Sequence, residues 1–478
     1  MNSYTSGTCT SASQASQAAK GAGGPKFHLH AFSWSAWLVV VALVPVIPRT
    51  PPDGIFHSGR LANYLWTDLI VVGVLFWLTL SASNLRGLLA RHRPIVKIYG
   101  GLLGLFLLQR ASLFVHMLRG EPMSFSDLWV GLEWIKVLVL LFLACELVRS
   151  RARLRRVWLV FITGFLIVCA MGLAEASRNA AVTETLDSLY GTPMHVAAAE
   201  HLATLGQMRI TATFDRNPHG FSLYLLLGLT VIASVQMHRG RVRMGARVFL
   251  GALFCLGLYE LLASAVLNAL LATALSLCVV VLYRATRAYS RVAIAAGMLC
   301  VIGLACVTMA ATGMPILQRA TRIWEQMAGG VGHVDDLSIN ARYAAFTDIL
   351  RYLVEHPVCL LFGVSPSTLV ELVTDRGLYA DNQYLFTMLT LGVPGLFMLL
   401  WILGRTLHTL HVAIASSPIA GLERTLFVSS QALLCGMAMA SLGGPFWVGE
   451  GFARTVYLEW SFIGIALGFT TCGSKRRA

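Results

Sequence analysis

Charge is the scarcest property of this chain. Only 13% of its residues are Asp, Glu, Lys or Arg, 56% are hydrophobic, and the mean hydropathy is +0.68. That balance excludes an ordinary soluble domain, in which about a quarter of the residues are charged. Metal and disulfide staples are not expected either. The ten cysteines form no CxxC pair and no Cys/His spacing that zinc requires. All but Cys359 fall in apolar runs or on the side that the basic loops mark as cytoplasmic, and a lone outside thiol makes no internal bridge. No secretory signal is expected either, because no apolar stretch follows a basic start. Residues 1–30, rich in Ser, Ala, Gly and Thr, read as a disordered cytoplasmic tail. No repeat of 20–50 residues and no inverted half-to-half symmetry is visible, which leaves the repeat design of many secondary transporters without support.

Long apolar runs dominate what remains. The sequence predicts an all-α, polytopic membrane protein of about twelve spans, centred near residues 40, 73, 104, 138, 166, 227, 256, 274, 302, 393, 433 and 464. The block from Val248 to Tyr283 is nearly twice what one crossing needs, so it is divided near Ser264. The net charge of +14 raises the possibility of a nucleic-acid partner, but its distribution argues against one. With the amino terminus inside and sides alternating, the clusters Arg86–Lys97, Arg149–Arg156, Arg239–Arg247, Arg284–Arg291 and Lys475–Arg477 all fall in the cytoplasm, with Arg405 and Arg424. Short basic inner loops are the positive-inside signature. The organisation that follows is a tail (1–30), spans one to nine with an outer loop at 175–220 (31–312), a large outer loop (313–383), spans ten to twelve (384–473) and a basic tail (474–478).

The two long outer loops hold most of the polar sequence. In the first, Pro193 to Gln207 places Met194, Ala198, Leu202 and Leu205 on one face of a short interfacial helix, with Thr192 as its cap. In the second, Asn340 to Glu355 is a helix with Tyr343, Phe346, Leu350 and Leu353 along its apolar side. His356-Pro357 ends it, because proline lacks the N–H of the next turn and restricts the residue before it. A turn at Gly363, Ser365 and Pro366 leads to a short helix from Ser367, its expected cap, to Asp375.

Several residues could carry chemistry. Arg209 and Arg216 stand at the outer mouth of the sixth span beside Asn217, and Arg342 opens the second loop's helix. Guanidinium forks pair bidentately with phosphate oxygens; the competing role for the first two is snorkelling at the interface. Asp381, followed by Asn382, precedes the tenth span and suits a general base for a sugar hydroxyl, or equally the N-cap of that span. His356 is a second candidate base, or another cap. Within the spans, Glu133 and Lys136 share a helix face, Glu260 and Asn268 raise the question of a polar pair, and Arg110 marks the outer end of the third span.

Three patches together resemble the O-antigen ligase and O-antigen polymerase superfamily of bacterial membrane glycosyltransferases. The first runs from Arg209 to Gly220, with its Ala-Thr-Phe step and Asn217-Pro218. The second is Arg342 with its amphipathic helix, His356-Pro357 and Leu361-Phe362-Gly363-Val364. The third is Asp381-Asn382-Gln383-Tyr384-Leu385 with Leu391-Gly392-Val393-Pro394-Gly395-Leu396. The departures are Asp381 where the ligase pattern has His, Ser264-Ala265-Val266 where many members have Ser-Arg-Gly, and Gly363-Val364-Ser365 for Gly-x-Gly. They favour a polymerase of exopolysaccharide or O-antigen units over a lipopolysaccharide ligase. The resemblance implies a GT-C-like, inverting transferase of the inner membrane with its active face periplasmic, working without metal or cofactor. It would use an undecaprenyl-diphosphate-linked oligosaccharide as donor and a glycan as acceptor, with the bilayer, a flippase and chain-length or export proteins as its surroundings. A flippase or transporter is the rival from another class.

Overall fold

The computed structural model describes residues 25–44, 73–81, 92–121, 131–177, 180–190, 212, 218–237, 243–264, 266–284, 337–374, 382–418, 421–443 and 453–474. Among them there is no β-strand. The helices are α1 (Pro25–Leu43), α2 (73–81), α3 (Val96–Leu118), α4 (Leu132–Leu147), α5 (Arg151–Ala176), α6 (Ala180–Tyr190), α7 (Pro218–Gln236), α8 (Met244–Ala263), α9 (Leu267–Arg284), α10 (Leu337–Glu355), α11 (Pro357–Phe362), α12 (Pro366–Thr374), α13 (Gln383–Ser416), α14 (Leu422–Ala440) and α15 (Ala453–Ser474).

Arg93–Leu118, Arg151–Ala176, Pro218–Gln236, Met244–Ala263 and Gln383–Ser416 are long and apolar enough to cross a membrane; Ala31–Leu43, Asn268–Tyr283 and Thr455–Thr470 are shorter apolar helices. The described residues fold as helices, and the chain is a multi-pass membrane protein. Eleven of the twelve expected span centres fall on helices, and residue 302 lies outside the described residues. The division of the Val248–Tyr283 block is observed: α8 ends at Ser264 and α9 begins at Leu267.

Burial sorts the helices into an interior and a shell. α7 is buried at every position from Phe221 to Ser234, and α15 from Thr455 to Phe469. A helix that is apolar all round belongs inside. α14 packs between them and also against α9 and α13. α3, α5 and α13 keep exposed apolar faces at Leu107 and Phe114, at Leu159 and Ile167, and at Phe397 and Trp401. Such faces suit contact with acyl chains. Close approach inside the bundle uses small residues, as in other membrane helix pairs. Gly464 and Gly468, one turn apart on α15, lie against Leu141, Ala144 and Cys145 of α4.

The two ends of the bundle differ in chemistry. At one end His92 Nε2 is 2.6 Å from Glu146 Oε1, Arg149 pairs with Glu146, Arg151 Nε donates to Glu423 Oε1 at 2.5 Å, and Arg424 donates to the Ile414 carbonyl at 2.9 Å. At the other, His116 donates to Gly363, Asn382 to Leu442 and Thr455 to Gly220. Each contact joins residues that the charge alternation assigns to one side. Buried ionic side chains inside the apolar region also find neighbours. Lys136 Nζ sits 4.1 Å from the Tyr457 ring centroid, a cation–π contact. Glu260, fully buried, lies against Gly172.

Candidate functional site

The second loop and the start of α13 form one interlocked unit at the end opposite the ionic network. Its origin is a break inside α13. Gly392 has φ 69° and ψ −175°, a conformation that glycine alone adopts readily. Pro394 follows it and supplies no backbone N–H. The carbonyl of Leu389, just before the break, accepts the Val364 N–H at 2.7 Å. Gly363, with φ 78°, stands opposite. A methyl group on Gly392 would meet the backbone of Leu361 and come within 2.8 Å of the Leu360 oxygen; one on Gly363 would meet Thr390 and come within 2.6 Å of the Leu391 nitrogen. Two patches some thirty residues apart in sequence are therefore one contact, and each contributes a glycine that permits it.

A polar clamp from α3 fixes the turn. His116, 1% exposed, donates from Nε2 to the Gly363 carbonyl at 3.0 Å, and its Nδ1 is 2.9 Å from Glu121 Oε1. Arg119 Nη1 is 3.5 Å from the same carboxylate oxygen. Burial raises the Glu121 carboxyl, but hydrogen bonds from His116 and Ser365 and the charges of His116 and Arg119 outweigh it and hold the group below the usual carboxylate range. Burial pushes the neighbouring Cys359 thiol up. Neither His116 nor Glu121 was among the residues picked from sequence. Their only signal was a histidine and an acid at the outer end of an apolar run. The helix passes Arg110 by about two turns.

His356 sits where α10 stops. Its backbone N–H bonds to the Tyr352 carbonyl at 3.0 Å, and Nδ1 donates to the same oxygen at 2.9 Å. The ring stacks on Tyr352 with centroids 4.2 Å apart and is exposed. His356 thus caps the end of α10. The segment after it is the helix α11, which the sequence did not suggest, and the expected turn follows it at residues 363–365. The cap of α12 is Ser365, not Ser367: Ser365 Oγ accepts from the Thr368 N–H at 3.2 Å, with Pro366 in the first helical position.

The N-cap of α13 is Asn382. Its Oδ1 accepts from Tyr384 N at 2.9 Å and Leu385 N at 3.2 Å, while Nδ2 donates to the Leu442 carbonyl at 3.3 Å. The cap is therefore one residue later than the position considered for Asp381. Asp381 itself, with Arg209, Arg216 and Asn217, lies outside the described residues. Arg342 stands in the second turn of α10.

One described residue ties the first loop's motif to the bundle. Ala212 is buried with φ 45°, and its N–H donates to Glu175 Oε2 at 2.7 Å at the end of α5. Beyond it Thr455 donates to the Gly220 carbonyl at 3.1 Å and Ser222 to Ser264 at 2.9 Å. Glu175 was also missed from sequence. Among the described residues no three His, Cys, Asp or Glu side chains gather to hold a metal ion.

No curated protein matches the chain. Residues 252–400 match the family model described as O-antigen ligase, a stretch that contains α10, α11, α12 and the broken first half of α13. Members of that family are glycosyltransferase-like enzymes. The match bears out, over that stretch, the resemblance to the O-antigen ligase and O-antigen polymerase superfamily.

Proposed function

We propose that this chain polymerises exopolysaccharide or O-antigen repeat units, transferring an undecaprenyl-diphosphate-linked glycan onto an acceptor sugar on the periplasmic face of the inner membrane. The observation that carries the reading is the interlocked unit from His356 to Gly395. It lies within the O-antigen ligase match and sits at the end of the bundle opposite the basic loops.

In this reading the acceptor hydroxyl oxygen attacks the anomeric carbon of the donor from the face opposite the diphosphate. The carbon–oxygen bond to phosphate breaks and undecaprenyl diphosphate leaves with the electron pair. The configuration inverts. Asp381 takes the hydroxyl proton, a role worth ~10² to 10⁴ in rate, and His356 is the next candidate. That Asn382 caps α13 supports this role for Asp381, because the helix end does not need a second cap. Arg209, Arg216 and Arg342, with Asn217 supporting, hold the diphosphate and stabilise the charge it gains. No metal or cofactor enters the scheme.

Asp381 in place of the ligase histidine favours polymerase over ligase. Purified protein in vesicles tests this when given the lipid-linked repeat unit alone, and again with lipid A-core added. Polymer from the donor alone supports polymerisation. Transfer only to lipid A-core identifies a ligase, and movement of the donor across the bilayer without new glycosidic bonds identifies a transporter.

A further inference from the structure

The elbow made by α10 and α11 carries an apolar surface that the other described residues leave uncovered. α10 has three faces. Ala345, Ile349 and Leu353 are buried. Asp348, Arg351 and Glu355 form a charged stripe, with Arg351 Nη1 3.3 Å from Asp348 Oδ1. Between these runs a third stripe, Phe346, Leu350 and Val354, repeating every four residues as one helix face requires. Phe346 is 43% and Val354 75% exposed. The stripe continues past the elbow into α11, where Val358, Leu361 and Phe362 are 38%, 57% and 37% exposed. From Pro357 to Phe362 the chain has no charge.

The position of α11 says what covers this surface. Gly363 is bonded to His116, two residues before the end of α3, and Phe114, Met117 and Leu118 there are themselves exposed. Leu361 lies against Gly392, nine residues into α13, about 13 Å along its axis. Both helices are long and apolar enough to span a membrane. The exposed face of α11 is thus continuous with the lipid-facing surface of the bundle, and lies beside apolar rather than polar lengths of its neighbours.

We propose that the elbow is seated in the bilayer leaflet at this end of the bundle, with Val354, Val358, Leu361 and Phe362 against acyl chains. Asp348, Arg351 and Glu355 then lie at the headgroups, as in interfacial amphipathic helices. The second loop is anchored in lipid on this account and does not stand clear in water. His356, between Val354 and Val358, comes to the boundary where the head of a lipid-linked substrate travels. The seating itself does not depend on which reaction is catalysed.

The test uses the full chain in phosphatidylethanolamine–phosphatidylglycerol vesicles, with a fluorescent amino acid encoded singly at Val354, Leu361 or Arg351. Brominated acyl chains should quench most of the emission from the first two positions and aqueous iodide little of it, with the reverse at Arg351. If the Leu361 variant does not insert, Val358 takes its place. Iodide quenching at Val354 and Leu361 would put the elbow in water. Protection there from both quenchers would mean that protein, such as a second copy, covers the face. Either result overturns the proposal.

Discussion

Alanine at Gly392 should loosen the interlocked unit, and the structure says by how much. The backbone there has φ 69° and ψ −175°, a region that costs a residue with a side chain about 1–3 kcal/mol. The new methyl group also meets backbone atoms of Leu360 and Leu361, which cannot swing aside as a side chain would. Forcing α11 away from α13 adds about 1–3 kcal/mol. The whole penalty is then about 2–6 kcal/mol, and it falls on the contact that positions His356 and the start of α13. Gly404, on the same helix, offers the control. Nothing lies within 4 Å of where its methyl would go, and alanine there should be neutral or stabilising by up to ~1 kcal/mol. Thermal unfolding of the purified variants in one detergent, alongside polymer output in cells, reads both effects. Gly392→Ala should melt well below Gly404→Ala and lose output. Gly363→Ala should behave like Gly392→Ala, and the double variant should cost less than the sum, because either change already parts the same two helices. Equal melting of Gly392→Ala and Gly404→Ala would refute the reasoning.

Arg209→Lys and Arg342→Lys keep the charge but lose the bidentate fork, so transfer should fall in both while membrane abundance holds; full activity in both leaves only interfacial anchoring. Asn382→Ala removes the cap of α13 and should lower stability by ~1 kcal/mol, measured by thermal unfolding, whereas a change at Asp381 should leave stability unaltered. The Glu121 carboxyl is held low in the folded protein, so its contribution is complete above the ordinary carboxylate range and is lost as pH falls through the depressed value. Glu121→Gln should therefore flatten the acid limb of a melting-temperature profile; an unchanged limb would show that the clamp on Gly363 carries no such linkage.

The sequence foretold the long apolar helices and the break at His356-Pro357, because run length and proline act locally, but not α6 or α11. The division of the long apolar block at Ser264 was legible for the same reason. Two of the caps were misplaced by a residue or two. Ser365 and Asn382 take positions that the sequence offered to Ser367 and Asp381, and several neighbouring residues can serve chemically as caps. The partners of the site were not legible at all. His116 meets Gly363 across 247 residues of chain, and Glu175 meets Ala212 through one backbone N–H. Neither pair leaves a periodicity or spacing to read. The two motif glycines could be quoted from sequence as part of a resemblance, but their shared purpose emerges only when Gly363 and Gly392 are seen facing the same two strips of backbone.

The central claim is that this chain moves a glycan from undecaprenyl diphosphate with Asp381 receiving the proton. Its most direct test is the rate of glycan transfer by wild type and Asp381→Asn, purified and reconstituted with the same lipid-linked repeat unit. Asparagine keeps the size and local hydrogen bonding but cannot take the proton. Wild type should form polymer and release undecaprenyl diphosphate, and Asp381→Asn, equally abundant and equally stable, should do so ~10²-fold more slowly. A wild-type rate from Asp381→Asn would contradict the assignment of the base and shift it to His356, and no transfer from wild type would contradict the function.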